Sequence, residues 1–283
     1  MNNILLFEFD IDGKFLSIYC GMLEDSYFSY AFFDGKSASR IYQKGECRLF
    51  KYQFQALENF FTPEYLKFSL YGEISIACDI KISQNNSIRS SRGLGSMLPR
   101  NARVEFISQF SEFFGEVTIN GKTHHIKSYG YIHRISARKL PERFYALNLL
   151  GKNICLASYM GDNAFWIYNF NSFLTAGIIS GDYYRFVDYN FSTISVADNG
   201  NQFIIRINKG KTDLVVCAEC GNEQLLKLNN RMIRANNYTR ADVLLRQGDK
   251  EVFRDRVPAT LLISGKIKVG KDVEMSKFCE AAT

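Results

Sequence analysis

The sequence predicts a mainly β protein, and three observations predict it. Phe and Tyr are abundant, 24 and 16 of 283 residues, and flat rings suit the pleated, half-buried face of a strand. Apolar and polar residues alternate with period 2 in many segments. The segments are separated by Asp-Gly-Lys, Asn-Gly-Lys and Asn-Lys-Gly-Lys, which supply the positive φ of tight hairpins. Many short strands joined by such turns describe a barrel or a sandwich.

In chain order, residues 4–10 and 14–20 flank a turn at Asp12, and residues 27–34 lead into the turn at Asp34. Residues 74–83, ISIACDIKIS, alternate most clearly. Ile74, Ile76, Cys78, Ile80 and Ile82 share one face, while Ser75, Ala77, Asp79, Lys81 and Ser83 share the other. That pattern is a half-buried antiparallel strand. Further strands are expected at 116–120, 144–149, 154–160, 165–170, 203–208 and 213–217, with turns at Asn120 and Asn208. Residues 52–61, YQFQALENFF, fit a short helix stopped before Pro63. Residues 222–234 fit helix and strand equally. Residues 84–103 are polar, contain glycine, carry Arg89, Arg92, Arg100 and Arg103 without an acid, and read as a long loop. Residues 23–43 and 140–160 echo each other, each with an early acid, paired aromatics and a Gly-Lys turn between strands. Two similar β-domains in tandem explain such an echo.

No run of about 18 apolar residues exists that would form a spanning helix. The first residues, MNNILLFEFDID, lack a basic start and meet Glu8 and Asp10, which is a poor leader. The expected location is the cytoplasm. The seven cysteines are odd in number and scattered, so thiols are expected rather than a disulfide framework. The net charge of +6 permits anionic partners without requiring them.

All three histidines, His124, His125 and His133, fall within residues 123–134, THHIKSYGYIHR. Zinc needs three or four donors converging on one point. On a strand, His124 and His125 point to opposite faces, and Ser128 and Gly130 place a bend between His125 and His133. No metal is expected. Cys217 and Cys220 form half a zinc-ribbon pattern without its second pair. Gly93-Leu-Gly95 lacks the third glycine of a dinucleotide fingerprint and the Gly-Lys-Ser/Thr of a P-loop. The arginines of 84–103 read as a solvated loop, so no nucleic-acid partner is expected. No G-x-S-x-G elbow is present.

Residues 113–150 hold a larger pattern: FFGEVTINGKTHHIKSYGYIHRISARKLPERFYALNLL. A strand, an Asn-Gly turn, a second strand with Gly130-Tyr131-Ile132, and Pro141 ahead of the aromatic Phe144 resemble the central motif of the tocopherol cyclase family. That family groups with carotenoid 1,2-hydratases and decalin-forming Diels–Alderases. Gly115, Val117, Ile119, Gly121 and Lys122 match the first part of the motif. Residues 23–28, LEDSYF, resemble the family's N-terminal F-E-G-W-Y-F, retaining Glu24, Tyr27 and Phe28. The family carries Glu where this chain has His133, Lys at Arg134, Asp at Ile135 and Trp at Ser136. Its two following tryptophans are Phe144 and Ala146 here.

The resemblance implies two tandem lipocalin-like antiparallel β-barrel domains, 1–136 and 137–283. It implies a cofactor-independent cyclase of isomerase or pericyclase type, closing a ring in a largely apolar isoprenoid or polyketide substrate held in a cavity between the domains. The alternative is a non-catalytic lipocalin-like carrier or scaffold for a hydrophobic small molecule. Peripheral membrane contact is compatible with either. His133 and Glu24 are the catalytic candidates, since starting ring closure by protonation needs a positioned acid, whereas a pericyclic closure needs mostly shape. Tyr27, Tyr131, Phe144, Asn148 and Trp166 are the expected substrate-binding residues. Strand parity places Tyr131 with His133, and Phe144 with Ala146 and Asn148.

Overall fold

The Asx-Gly turns read from the sequence each close a hairpin. Asp12 and Gly13 have φ of 52° and 85°, Asp34 and Gly35 of 49° and 76°, and Asn120 and Gly121 of 50° and 80°. Paired positive values define the tight turn whose twist matches the flanking strands. The computed structural model describes residues 2–23, 25–83, 102–137, 141–165, 168–221, 224–228 and 231–269. Among these the chain is strand throughout, apart from turns and a single 3-10 turn at Lys44–Glu46. No helix among the described residues is long and apolar enough to cross a membrane. Two compact units divide the chain, one containing the described residues up to Ala137 and one those from Pro141.

The first unit contains β1 (Asn2–Ile11), β2 (Lys14–Leu23), β3 (Ser26–Phe33), β4 (Lys36–Tyr42), β5 (Cys47–Leu49), β6 (Phe54–Ala56), β7 (Asn59–Phe61), β8 (Tyr65–Tyr71), β9 (Ser75–Ser83), β10 (Ala102–Ile119) and β11 (Lys122–Ala137). Their sheet order is β4-β3-β2-β1-β11-β10-β9-β8-β7-β6-β5. The sheet curls until β4 meets the end of β8. There Ala38 bridges Gly72, and the Ser37 N–H donates to the Glu73 carboxylate at 2.9 Å. The result is a nearly closed antiparallel barrel. Strands β5–β7 continue past β8 and turn Phe54, Ala56 and Phe61 into its core. Rings fill that core as a column: Tyr27 stacks on Phe54 at 6.4 Å, Phe54 on Phe61 at 5.9 Å, and Phe61 on Phe68 at 5.2 Å.

The second unit contains β12 (Phe144–Gly151), β13 (Ile154–Phe165), β14 (Tyr168–Ile179), β15 (Asp182–Val187), β16 (Thr193–Asp198), β17 (Gln202–Lys209), β18 (Thr212–Glu219), β19 (Gln224–Leu228), β20 (Arg231–Gln247), β21 (Lys250–Ser264) and β22 (Lys268–Val269). The order is β15-β14-β13-β12-β21-β20-β18-β17-β16-β22, with β19 on β20. Its core holds Tyr145, Leu147 and Leu149 of β12 among other apolar side chains. In both units a long late hairpin, β10–β11 or β20–β21, pairs back onto the unit's first strand.

Several sequence expectations are corrected. Residues 54–61 are not helical. They form the β6–β7 hairpin, in which Phe54, Ala56, Asn59 and Phe61 are buried and Leu57 takes a φ of 52° at the turn. Alternation on either side of a tight turn mimics helical spacing when the strands are three residues long. Residues 224–228 and 231–234 are strand. The loop expected over 84–103 lies outside the described residues up to Asn101, and Ala102 and Arg103 already belong to β10. No bend interrupts β11 at Ser128 or Gly130. The irregularity lies opposite, in β10, as bulges between Phe106 and Ser108 and between Gln109 and Ser111, with Phe110 at a φ of 62°. The echo joins unlike hairpins. Residues 23–43 span the β2 end, β3 and β4, whereas 140–160 lead into β12 and β13, which hold the places of β1 and β2.

Gly130 is required by packing rather than by a turn. A Cβ there would lie 2.1 Å from the Glu8 carbonyl oxygen and 2.8 Å from the Phe113 and Phe9 side chains. A Cβ on Gly121 would meet nothing within 4 Å, and its constraint is the φ of 80°. Gly130→Ala is therefore expected to cost about 3 kcal/mol, the upper part of the overpacking range, and Gly121→Ala about 1 kcal/mol. Urea denaturation of the two variants checks the difference, and equal losses would contradict the close approach of β1 to β11.

Candidate functional site

Both faces of β11 are buried from Gly130 to Arg134. Ile132 pairs with Phe7 of β1 on the barrel-core side. Tyr131 and His133 stand on the opposite face, as the parity reading placed them. Directly opposite residues in an antiparallel pair share a face, so the register defines two rows across four strands. One row runs Ser17, Glu8, Tyr131, Gln109 through β2, β1, β11 and β10. The adjoining row runs Tyr19, Leu6, His133, Phe106.

All four members of the first row are at most 1% exposed. Buried polar side chains at this density need hydrogen bonds. The Ser17 hydroxyl donates to Glu8 Oε1 at 2.9 Å. Burial first, and the Glu8 charge second, hold the Tyr19 phenol well above its usual range, so it stays protonated. His133, 4% exposed, is held by rings. Its centroid lies 4.6 Å from that of Phe106 and 5.5 Å from that of Tyr131. Its Nε2 is sealed from solvent and makes no hydrogen bond. Burial drives the His133 pKa down to about 3, so the imidazole is neutral at physiological pH. It has no imidazolium proton to give, and it can still present an N–H or a lone pair.

The other histidines go elsewhere. His124 Nδ1 lies 2.9 Å from Asp12 Oδ2 and His125 Nδ1 3.4 Å from Glu116 Oε1, so the three rings do not converge. Arg134 sits on the core side of β11, donating from Nε to Asn3 Oδ1 at 2.8 Å and from a terminal nitrogen to Glu105 Oε2 at 3.1 Å. Tyr27 belongs to the ring column, stacked on Phe54. In the second unit, Phe144, Ala146 and Asn148 occupy the face of β12 away from its core. Phe144 stacks with Tyr159 at 6.3 Å, and Asn148 Nδ2 donates to Thr260 Oγ1 at 3.2 Å. Glu24 and Trp166 lie outside the described residues. Cys217 departs from the expectation of thiols, since it is disulfide-bonded, while Cys20, Cys47 and Cys78 are free.

Sequence reasoning missed Glu8, Ser17 and Gln109. The signal was present for Glu8. It follows Ile4 and Leu6 at the same parity, in a strand that is apolar at both parities, so its face is buried and the acid on it is exceptional.

No protein-family model matches the chain, and no curated protein matches its sequence. Solved structures do match in fold. A protein described as an AttH from Nitrosomonas europaea aligns with a TM-score of 0.52 at 8% identity, covering 94% of this chain and 92% of that one. CghA, solved with Sch210972, aligns at 0.54 and 8% identity, covering 95% and 89%. Kievitone hydratase from Nectria haematococca aligns at 0.53 and 6% identity, covering 93% and 89%. The chain has the double lipocalin-like fold. Within this fold each barrel core is packed with side chains, and the polar row of the first unit lies on the outer face of its sheet, away from that core.

The depressed pKa makes His133 an acid-sensitive element of this double lipocalin-like chain. Between its folded value of about 3 and the ordinary 6.5, the unfolded chain binds a proton that the folded chain does not. Stability is thus intact above about pH 6.5 and falls toward pH 3 by about 1.4 kcal/mol per unit from this group. His133→Phe is expected to gain about 2 kcal/mol on the wild type between pH 7 and pH 5. Urea midpoints at the two pH values measure it, and no relative gain would contradict a buried neutral imidazole.

Proposed function

We propose that the chain is a cofactor-independent cyclase of isomerase type. It closes a ring in a largely apolar isoprenoid or polyketide substrate that lies against the face carrying Tyr131 and His133. The observation that carries the reading is His133 Nε2, buried, neutral and without a hydrogen-bond partner. A buried polar atom left unsatisfied calls for an explanation, and a ligand carbonyl supplies the missing acceptor. The fold shared with CghA, solved with Sch210972, and with kievitone hydratase supports a small-molecule substrate.

The chemistry follows from the protonation state. An imidazole with a pKa of about 3 is a poor source of the proton that would start an alkene cyclisation. Closure by positioning is therefore favoured: the apolar walls of Leu6 and Phe106 fold the chain into a near-attack conformer. The neutral His133 N–H then polarises a carbonyl conjugated to the reacting carbons. No proton is transferred in that step, so product and substrate are isomers.

Incubating the protein with a metabolite extract of its source, with chromatography and mass spectrometry as readout, tests the reading. A compound that changes retention without changing mass is expected. His133→Ala is expected to lower that conversion by about 100-fold, the effect of removing one positioned donor. A product heavier by one water would replace ring closure with hydration. A molecule that co-purifies and stays unchanged would identify a carrier.

A further inference from the structure

The sheet of the second unit has an opening that ring closure leaves unused. Strand β19 pairs with β20 as far as Ala235, and β18 takes over at Ala241. Residues 236–240 of β20 pair with neither, and a bulge between Asn236 and Thr239 interrupts their register with β21. A cavity of about 430 Å³ lies there, its lining including Asn201, Glu219, Gly221, Asn236, Thr239 and Arg240. We propose that this cavity binds a small oxyanion, a carboxylate or phosphate that also carries a hydroxyl, with Arg240 holding the charge. The site involves no residue of the first unit, so it stands or falls separately from ring closure at His133.

Charge is the first argument. Glu219, the acid of the lining, is paired with Arg256, whose Nε also lies 4.0 Å from Asp242 Oδ1. One arginine thus answers both acids. Arg240 is exposed, and its guanidinium makes no ion pair or hydrogen bond among the described residues. Its planar fork matches the paired oxygens of a carboxylate or phosphate.

Placement is the second argument. The Asn201 main chain is pinned, its N–H donating to Asn199 Oδ1 at 3.0 Å and its carbonyl accepting from the Cys220 N–H at 2.7 Å. The side-chain amide of Asn201 has no partner among the described residues, and an amide offers a hydroxyl both donor and acceptor. The Thr239 hydroxyl donates to the Glu219 carbonyl at 2.6 Å, so a ligand meets it as an acceptor. Room is the third. The volume would hold roughly a dozen waters, so a molecule of several carbons fits. A Cβ on Gly221 would meet nothing within 4 Å, which leaves that wall open.

The full-length protein at low ionic strength tests this by titration calorimetry with citrate, glycerol 3-phosphate, inorganic phosphate and glycerol. At least one of the two hydroxyl-bearing anions is expected to bind at millimolar concentration, more tightly than inorganic phosphate, and glycerol is expected not to bind. Which of the two binds more tightly assigns the oxyanion as carboxylate or phosphate. Arg240→Gln is expected to weaken binding about 10–100-fold, the range for hydrogen bonds to a charged group. Lys250→Gln removes the same charge eight residues beyond Pro258, the partner of Arg240 on β21, and is expected to leave binding unchanged. Gly221→Phe fills the cavity without altering charge and is expected to block it. Absence of binding by both hydroxyl-bearing anions, equal losses in Arg240→Gln and Lys250→Gln, or full binding by Gly221→Phe overturns the site.

Discussion

The register between β1 and β11 is the constraint on which the site depends. Phe9 lies opposite Gly130, Glu8 opposite Tyr131 and Leu6 opposite His133. The lack of a side chain at Gly130 lets the Glu8 carbonyl and the Phe113 ring approach. Phe9 and Phe113 stack at 4.7 Å beside that gap. A slip of one residue would exchange the two faces of β11. It would send Tyr131 and His133 toward the barrel core and leave Ile132 facing away from it. Packing of the first barrel and assembly of the polar row are thus the same event.

That coupling gives the site its chemistry. Glu8, Tyr131 and His133 are each separated along their strands by residues whose side chains fill the barrel: Phe7, Phe9 and Ile132. The strands are anchored from the core side, and the opposite face carries the polar groups. Bulges in β10 at Phe106–Ser108 and Gln109–Ser111 then re-aim its side chains at this level, a use of extra residues common beside functional sites. Burial on this face lowers the His133 pKa to about 3 and keeps Tyr19 protonated. The groups that can act are therefore neutral donors beside one carboxyl.

Much of the fold was legible in the sequence. Asx-Gly pairs located the tight turns, and ISIACDIKIS has the burial alternation its pattern implies. Illegible were elements whose pattern is too short to have a period. The β6 and β7 strands together read as a helix because each is three residues long. The echo between residues 23–43 and 140–160 followed aromatic content, which is shared by every hairpin here, and so it paired hairpins of unlike position. Of the site, strand parity placed Tyr131 with His133 and separated His124 from His125. Glu8, Ser17 and Gln109 come from three other strands, and register across strands is set by turns and bulges that a linear pattern does not show. The Cys217 disulfide was equally invisible, since cysteine spacing alone does not fix pairing.

The central claim is that His133 is a neutral imidazole held by rings and kept from solvent. Nitrogen-15 NMR of the histidine-labelled protein tests it most directly, with His133→Phe assigning the resonance. The His133 nitrogens are expected to keep neutral-imidazole shifts down to about one unit above the pKa of about 3. Conversion to the imidazolium pattern near pH 6.5, the ordinary value, would contradict it.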